Sequence, residues 1–214
     1  MKLAIIGASG FVGSALLDES LKRGHDVTAI VRHPEKITAV DSKLTVQAGD
    51  VQDTDAIAKL VAGHDAVLNA FNAGWTNPNL YDDFLNGSAS IEKSTQQAGV
   101  RRLLVIGGAG SLEAAPGVQL VDTPEFPADW KAGATAARDY LNILRKNTTL
   151  DWTFLSPAIN LAPGERTGKF RLGTDQPVFN ENGESAISVA DLAVAVLDEI
   201  ERPQFIQKRF TIGY

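Results

Sequence analysis

The chain has 214 residues, of which 44% are hydrophobic and 21% are charged, as in a soluble globular protein with room for one large or two small domains. A formal net charge of −6 argues against nucleic acid or an anionic membrane surface as the main partner. The absence of cysteine excludes disulfides, thiolate catalysis and cysteine-ligated metals.

Short aliphatic runs alternate with helical patterns along the chain. The first run, in MKLAIIG, is too short and too interrupted by glycine for a signal peptide or a membrane helix, so we expect a cytoplasmic protein without a membrane partner. This alternation predicts an α/β fold, a doubly wound parallel sheet with helices on both faces. The predicted strands are 3–7, 26–32, 44–50, 65–71, 102–108 and 151–157, and the predicted helices are 11–23, 54–62, 80–98, 130–146 and 188–201.

One segment interrupts the alternation within the single predicted domain, 1–214. Residues 162–185 are rich in glycine and proline, which predicts an inserted loop or a small hairpin. Its candidate arms are GKFRLG (168–173) and PVFN (177–180). KRFTIGY (208–214) is predicted to form the last strand.

Three glycines stand between the first strand and the first helix, in IIGASGFVGSALL (5–17). In this context Gly7 permits a sharp turn, Gly10 lets the backbone approach a pyrophosphate, and Gly13 lets the helix pack on the sheet. The free N–H groups of the helix terminus favour an anion there. Strand-to-helix turns also use glycine for steric reasons alone, but the position after the first strand of an α/β chain favours a dinucleotide site.

The spacing GxxGxxG resembles that of the short-chain dehydrogenase/reductase superfamily. The chain is similar to its atypical NAD(P)H-binding branch, which includes NmrA-like regulators, biliverdin/flavin reductase-like enzymes and NADH-flavin reductases. The resemblance implies a Rossmann-like fold and a small-molecule acceptor, and we expect a monomer or a homodimer. It covers nearly the whole chain, through GASGFVG, VTAIVRHPEK, GDVQD, NAFNAG, RRLLVIGGAGSL, LDWTFLSPA and ISVADLAVAVLDEIE.

The end of the second strand indicates which cofactor is bound. Proteins with this fold that prefer NAD place an acid there, whereas this chain has Arg32, 19 residues after Gly13. A guanidinium matches a 2′-phosphate, so we expect NADPH to be preferred over NADH, with Ser9 as a second phosphate contact. Arg32 could instead be a surface charge, and His33 is equally a cofactor contact or a surface turn residue.

The resemblance extends the cofactor site to the other strand ends. It implies that Asp50 and Val51 flank the adenine, although Asp50 could instead cap the following helix. Asn69, Ala70 and Phe71 end the fourth strand, where the backbone would run beside the nicotinamide ribose. The other implied cofactor contacts are Phe11, Val12, Gly107 and Pro157.

The catalytic pattern of the superfamily is missing. Typical members use Tyr-x-x-x-Lys, in which the lysine lowers the pKa of the tyrosine so that the phenol exchanges a proton. Here leucine stands four residues after both Tyr81 and Tyr140, and Tyr214 is the last residue. Trp130 and Ala134 stand roughly where the pair belongs. Oxidation of alcohols by a tyrosine is therefore not expected.

Few other catalytic groups remain. The fifth strand ends in glycine and alanine where typical members carry a serine, and Ser111 is the one weak candidate, although loop serines usually form turns. No metal site is expected, because the three histidines lack ligand spacing. The aromatic residues Phe71, Trp75, Phe126 and Trp130 either stack a flat substrate or belong to the core.

These observations favour an NADPH-dependent oxidoreductase that transfers hydride to a flat acceptor such as a flavin or quinone. Such an acceptor is already an electron sink, so the protein has mainly to orient the rings and exclude water. One alternative is a non-enzymatic NADP(H) sensor that binds a protein partner, as NmrA-like members do. Another is a nucleotide-sugar epimerase or dehydratase, for which the chain is short and lacks the tyrosine.

Overall fold

The computed structural model describes all 214 residues, which form twelve strands and five α-helices. The strands are β1 (Lys2–Ile6), β2 (Asp26–Val31), β3 (Leu44–Ala48), β4 (Ala66–Asn69), β5 (Arg102–Ile106), β6 (Glu113–Ala115), β7 (Val118–Gln119), β8 (Asp151–Ser156), β9 (Asn160–Ala162), β10 (Arg171–Gly173), β11 (Ala186–Ser188) and β12 (Lys208–Gly213). The helices are α1 (Phe11–Lys22), α2 (Thr54–Val61), α3 (Leu80–Gln97), α4 (Ala128–Leu144) and α5 (Val189–Glu201).

Eight strands form the central sheet in the order β3-β2-β1-β4-β5-β8-β12-β10. All neighbouring strands are parallel except β10, which runs antiparallel to β12. The predicted doubly wound parallel sheet is thus confirmed. The strand order reverses at β1, so the carboxyl end of β1 lies at the switch point where sheets of this kind bind ligands. We call the side of the sheet where the parallel strands end the carboxyl edge.

The helices cover both faces of the sheet. α1 packs with α5 over one face, whereas α3 packs with α2 and α4 over the other. Side chains of β1 alternate between the two cores: Leu3 and Ile5 face the first, and Ala4 and Ile6 the second. Because both faces are covered, most of the buried strand residues are apolar. None of the helices has the length and apolar character needed to cross a membrane.

The helix starts follow from local chemistry. Asp53 caps α2 by accepting a hydrogen bond from the Ala56 N–H at 3.0 Å, and Ser188 caps α5 by accepting from the Asp191 N–H at 3.0 Å. By contrast, α1 begins after Gly10 without any side-chain cap. Its first N–H groups are therefore left for another acceptor.

Of the loop or hairpin that the sequence predicts within 162–185, the hairpin pairing is not found, because the two candidate arms do not pair with each other. GKFRLG contributes β10, but β10 pairs with β12 at the edge of the central sheet, and PVFN forms no strand. The strands that flank this segment, β9 and β11, pair with each other in parallel. β10 extends the central sheet by pairing with β12, a contact between residues about 40 positions apart that no local sequence pattern indicates.

Residues 163–169, which we call the strap, lie across α1 and α5. Arg166 donates to both carboxylate oxygens of Glu19 at 2.7 and 2.8 Å, and the Gly168 N–H donates to Asp191 at 2.7 Å. Glu19 is only 4% exposed and also pairs with Arg23 at 2.7 Å. The hydrogen bond from Arg166, opposed by burial and assisted by Arg23, lowers the pKa of Glu19 to about 2.

Removing the Glu19 charge should test the strap. A carboxyl group whose pKa falls from 4.5 to about 2 on folding stabilises the protein above pH 4.5 and loses that contribution as the pH falls toward 2. Glu19→Gln should therefore lower the free energy of unfolding at pH 7 by roughly 3 kcal/mol and flatten its dependence on pH below 4.5. Denaturant titrations at several pH values measure both. The exposed neighbour variant Asp18→Asn should match the wild type, and equal acid sensitivity of Glu19→Gln would contradict the assignment.

Candidate functional site

The glycine loop after β1 is packed backbone against backbone. Gly7 has a φ of +83°, and a Cβ built there would lie 2.6 Å from the carbonyl oxygen of Ala70. A Cβ on Gly13 would lie 2.0 Å from the oxygen of Gly7. Both positions therefore require glycine, one to let the turn after β4 approach and the other to let α1 approach the loop.

The amino terminus of α1 is free to bind an anion. The N–H groups of Phe11, Val12 and Gly13 have no acceptor within the protein, and the first turn carries no acidic residue. Ser9, Gly10 and Phe11 are exposed. A Cβ on Gly10 would meet only the Gly7 oxygen, at 3.4 Å, so the surface above Gly10 is open. These features fit a pyrophosphate, which binds N–H groups and the positive end of the helix dipole.

Arg32 lies beside this loop. The Gly7 N–H donates to the carbonyl of Ile30 at 3.0 Å, which places Arg32 two residues further along the same edge. Arg32 is exposed and has no ion pair or hydrogen bond with the protein. His33 is also exposed, and its Nδ1 lies 3.3 Å from a carboxylate oxygen of Glu35. Arg32 is thus the unpaired cation nearest the glycine loop along β2.

The end of β3 carries Asp50 and Val51 as a turn. Asp50 is exposed, and its Oδ1 accepts from the Gln52 N–H at 3.0 Å, so it stabilises its own turn. The cap of α2 is Asp53, not Asp50, which leaves the second oxygen of Asp50 without a partner. The Val51 side chain is buried beneath the turn. The geometry therefore leaves Asp50 able to accept a hydrogen bond from a ligand.

The turn after β4 contains Asn69, Ala70 and Phe71. Asn69 is buried, and its Oδ1 accepts from the Phe71 N–H at 3.0 Å, which fixes the turn against the glycine loop. The Phe71 ring stacks with Phe84 of α3 at a centroid distance of 6.1 Å and occupies the space that a Cβ on Gly87 would need. Of the two alternatives for Phe71, the structure places its ring against the core.

The ends of β5 and β8 close the site from the other side of β4. A Cβ on Gly107 would lie 2.0 Å from Cζ of Phe154 in β8. Glycine is therefore needed at position 107 so that the Phe154 ring can pack against the backbone. Pro157, directly after β8, is buried. Gly107 and Pro157 thus lie at the carboxyl edge but have no polar side chain that could bind a ligand.

Ser111 lies below the surface. Its hydroxyl is 3.3 Å from the Ser156 hydroxyl and accepts from Arg209 at 3.3 Å, and its carbonyl accepts from the same guanidinium at 3.0 Å. Arg209 is buried and paired with Asp175. The Ser111 hydroxyl thus binds the buried guanidinium of Arg209. Ser111 as a residue is only 1% exposed.

The aromatic residues proposed for substrate differ in exposure. Trp75 follows β4 and is 60% exposed, and Trp130 in the first turn of α4 is 57% exposed. Because α4 starts after the β5 loop, both indoles lie at the carboxyl edge. Phe126, just before α4, is half-buried. Two of these three aromatic side chains are thus available to a ligand.

None of the tyrosines is a free phenol. Tyr81 donates to Asp139 at 2.8 Å, Tyr140 to Glu92 at 3.2 Å, and Tyr214 to Asp191 at 2.8 Å. The hydrogen bond to Asp139 raises the pKa of Tyr81, and burial raises that of Tyr140 well above its usual value. No three His, Asp or Glu side chains are grouped closely enough to hold a metal ion.

Sequence reasoning missed Arg209 and Gly133. Arg209 holds Ser111 from β12, a contact between distant residues that no local pattern indicates. Gly133 lies inside α4 against the Trp75 ring, and a glycine within an alanine-rich helix was the available signal.

Comparisons with known proteins agree with this geometry. The protein YwnB of Bacillus subtilis, named as uncharacterized, is 42% identical over 215 residues, covering 99% of this chain and 98% of YwnB. The structure of a proposed epimerase from Bacteroides thetaiotaomicron matches with a TM-score of 0.93 and 47% identity, over 100% of this chain and 96% of that one. The structure of a proposed NADH-flavin reductase from Streptococcus pneumoniae matches with a TM-score of 0.86 and 38% identity, over 100% and 99%.

The glycine loop, the uncapped helix and the switch point define a dinucleotide-binding fold of the Rossmann type. The family of NAD(P)H-binding proteins matches residues 7–200 of the chain, and the chain therefore belongs to that family. The resemblance drawn from its sequence motifs is confirmed.

Gly10→Ala should separate folding from cofactor binding. The added Cβ meets only one atom at 3.4 Å, so stability should fall by about 1 kcal/mol or less. The methyl group would occupy the open surface above Gly10, where a pyrophosphate has to approach the backbone, and NADPH affinity should fall roughly 10- to 100-fold. Calorimetric titration measures the affinity, with Ser14→Ala in the same turn as control. Unchanged NADPH binding by Gly10→Ala would place the dinucleotide elsewhere.

Proposed function

We propose that this protein is an NADPH-dependent oxidoreductase that delivers hydride to a planar acceptor such as a flavin. The observation that carries the proposal is the combination, at one edge, of an anion-binding helix terminus, an unpaired Arg32 and two exposed indoles. The Streptococcus relative, whose name describes an NADH-flavin reductase, supports the same type of reaction.

The preference for NADPH rests on Arg32. The extra phosphate of NADPH needs a cation at the end of β2, and Arg32 has no protein carboxylate to neutralise it. Ser9 in the glycine loop is also exposed and would provide a hydroxyl donor. The nearest acid along the chain, Glu35, lies beside His33 instead. The name of the Streptococcus relative specifies NADH, so the preference proposed for this chain differs from that name.

The residues of the chain would bind and orient rather than exchange protons. Bound NADPH supplies the hydride. The N–H groups of Phe11 to Gly13 would hold its pyrophosphate, and Arg32 its 2′-phosphate. The exposed indoles of Trp75 and Trp130 would orient the acceptor ring and exclude water from its face. No tyrosine is required, since reduction of a flavin can take its proton from solvent.

The Bacteroides relative is named as an epimerase, which is a different reaction. In this superfamily such chemistry uses Tyr-x-x-x-Lys, whereas leucine stands four residues after Tyr81 and Tyr140 here. Both phenols are also bound to carboxylates on neighbouring helices. These features favour the reductase.

Purified protein should be mixed anaerobically with NADPH and, in turn, riboflavin, FMN, menadione and an enal, while the nicotinamide absorbance is followed. We expect steady oxidation of NADPH with at least one flavin or quinone. Tight NADPH binding without reduction of any acceptor would contradict the reductase and favour a cofactor sensor.

Reversing the charge at Arg32 should change the cofactor preference. Arg32→Asp replaces a charge-assisted phosphate contact by repulsion, and NADPH affinity should fall roughly 10- to 100-fold while NADH affinity is kept or improved. Calorimetry with both cofactors measures the ratio. Arg145→Asp, at the far end of α4, is the matched control and should alter neither affinity. A wild type that binds NADH as tightly as NADPH would show that Arg32 is only a surface charge.

Loss of each phenol should leave turnover nearly intact. Tyr81→Phe, Tyr140→Phe, Tyr214→Phe and Ser111→Ala should each change kcat by less than about tenfold, because loss of a true general acid costs roughly 10²–10⁴-fold. Circular dichroism and NADPH affinity serve as folding controls. A larger fall in kcat in a variant that is folded and binds NADPH would reveal a proton relay at that residue.

A further inference from the structure

Helix α4 contains a glycine that a helix does not need. Gly133 stands in the sequence KAGATAA, and its neighbours are among the best helix formers. Glycine is the least favourable interior residue of a helix after proline. A packing requirement outside the helix therefore has to explain Gly133.

That requirement is the indole of Trp75. A Cβ on Gly133 would lie 2.8 Å from Cζ3 and 3.3 Å from Cη2 of Trp75, with Cδ2 of Leu80 at 3.2 Å. Carbon atoms pack no closer than about 3.5 Å without repulsion. The six-membered ring of Trp75 therefore rests on bare helix backbone. The residue as a whole is nevertheless 60% exposed.

The loop that carries Trp75 is fixed by its own side chains. Asn72 Oδ1 accepts from the Gly74 N–H at 2.7 Å, and Asn77 Nδ2 donates to Asp83 of α3 at 2.8 Å. These contacts hold the backbone on both sides of Trp75. Its ring is thus positioned by an ordered loop and by the missing side chain at position 133.

Trp130 completes the surface. It lies three residues before Gly133, hence one turn away on the same side of α4, and is 57% exposed. Of the three tryptophans, only Trp152 donates its indole N–H to a protein acceptor, at 3.0 Å. We call the pair of exposed indoles, Trp75 and Trp130, the aromatic shelf.

We propose that Gly133 is a specificity-determining positioning residue, which keeps Trp75 against α4 so that the aromatic shelf accepts a planar ring of the flavin type. The inference rests on the proposed function for the identity of that ring. Flat aromatic surfaces bind such rings by offset stacking, which depends on ring orientation. A methyl group at position 133 would push the indole outward while leaving the backbone in place, because the atoms that it meets are side-chain ends.

The test uses Gly133→Ala, Trp75→Ala and the double variant, with riboflavin as acceptor. Gly133→Ala should raise the KM for riboflavin about tenfold, the size expected for one aromatic contact. NADPH affinity should stay unchanged, and the tryptophan emission should shift. If Gly133 acts through Trp75, the double variant should have the KM of Trp75→Ala alone. Trp75→Phe, which keeps a flat ring, should lie between wild type and Trp75→Ala.

Controls separate this inference from the proposed function. Ala132→Leu enlarges an exposed side chain that lies about 100° around α4 from Gly133, and it should leave the KM unchanged. Equilibrium binding of riboflavin to the NADP⁺-loaded protein provides a readout without turnover. If the wild type reduces riboflavin and Gly133→Ala has the same KM, the role of Gly133 in the aromatic shelf is contradicted, while the proposed reductase activity is supported. If riboflavin binds to the wild type and Gly133→Ala weakens that binding, but no riboflavin is reduced, the aromatic shelf is supported and the proposed reductase activity is contradicted.

Discussion

A Cβ on Gly13 would stand 2.0 Å from the oxygen of Gly7, and one on Gly7 would stand 2.6 Å from the oxygen of Ala70. Three elements, β1, α1 and the turn after β4, thus meet through backbone atoms alone. This contact fixes the start of α1 at the switch point of the sheet. The N-cap residue of α1, Gly10, has no side chain that could accept a hydrogen bond, so the first N–H groups of the helix remain available to a phosphate.

The two faces of the sheet contribute differently to the site. On one face, α1 and α5 are held together by Glu19 with Arg23 and, through the strap, Arg166. On the other face, α3 and α4 bring their amino termini to the carboxyl edge beside the Trp75 loop. The proposed cofactor half of the site therefore relies mainly on backbone geometry, and the proposed acceptor half on aromatic side chains. Separate construction of the two halves is consistent with a protein that orients two flat rings.

Buried polar groups near the site have structural partners rather than free lone pairs. Ser111 is tied to Ser156 and Arg209, and Tyr140 is bound to Glu92 within the core. Such groups satisfy their hydrogen bonds internally, which is the usual condition for burial. The groups that stay accessible at the carboxyl edge include Arg32, Asp50, the N–H groups at the start of α1 and the two indoles.

The sequence by itself determined the sheet, the helices, the glycine loop and the position of Arg32, because hydrophobic periodicity and a turn that requires glycine are local properties of the chain. It also identified the aromatic residues, but it left open whether Phe71 and Trp75 were core or surface. The tertiary structure decided that: Phe71 packs on Gly87 and Trp75 on Gly133. It also decided that β10 pairs with β12 and that Ser111 meets Arg209. These outcomes depend on contacts between residues far apart in the chain, which only the packed fold brings together.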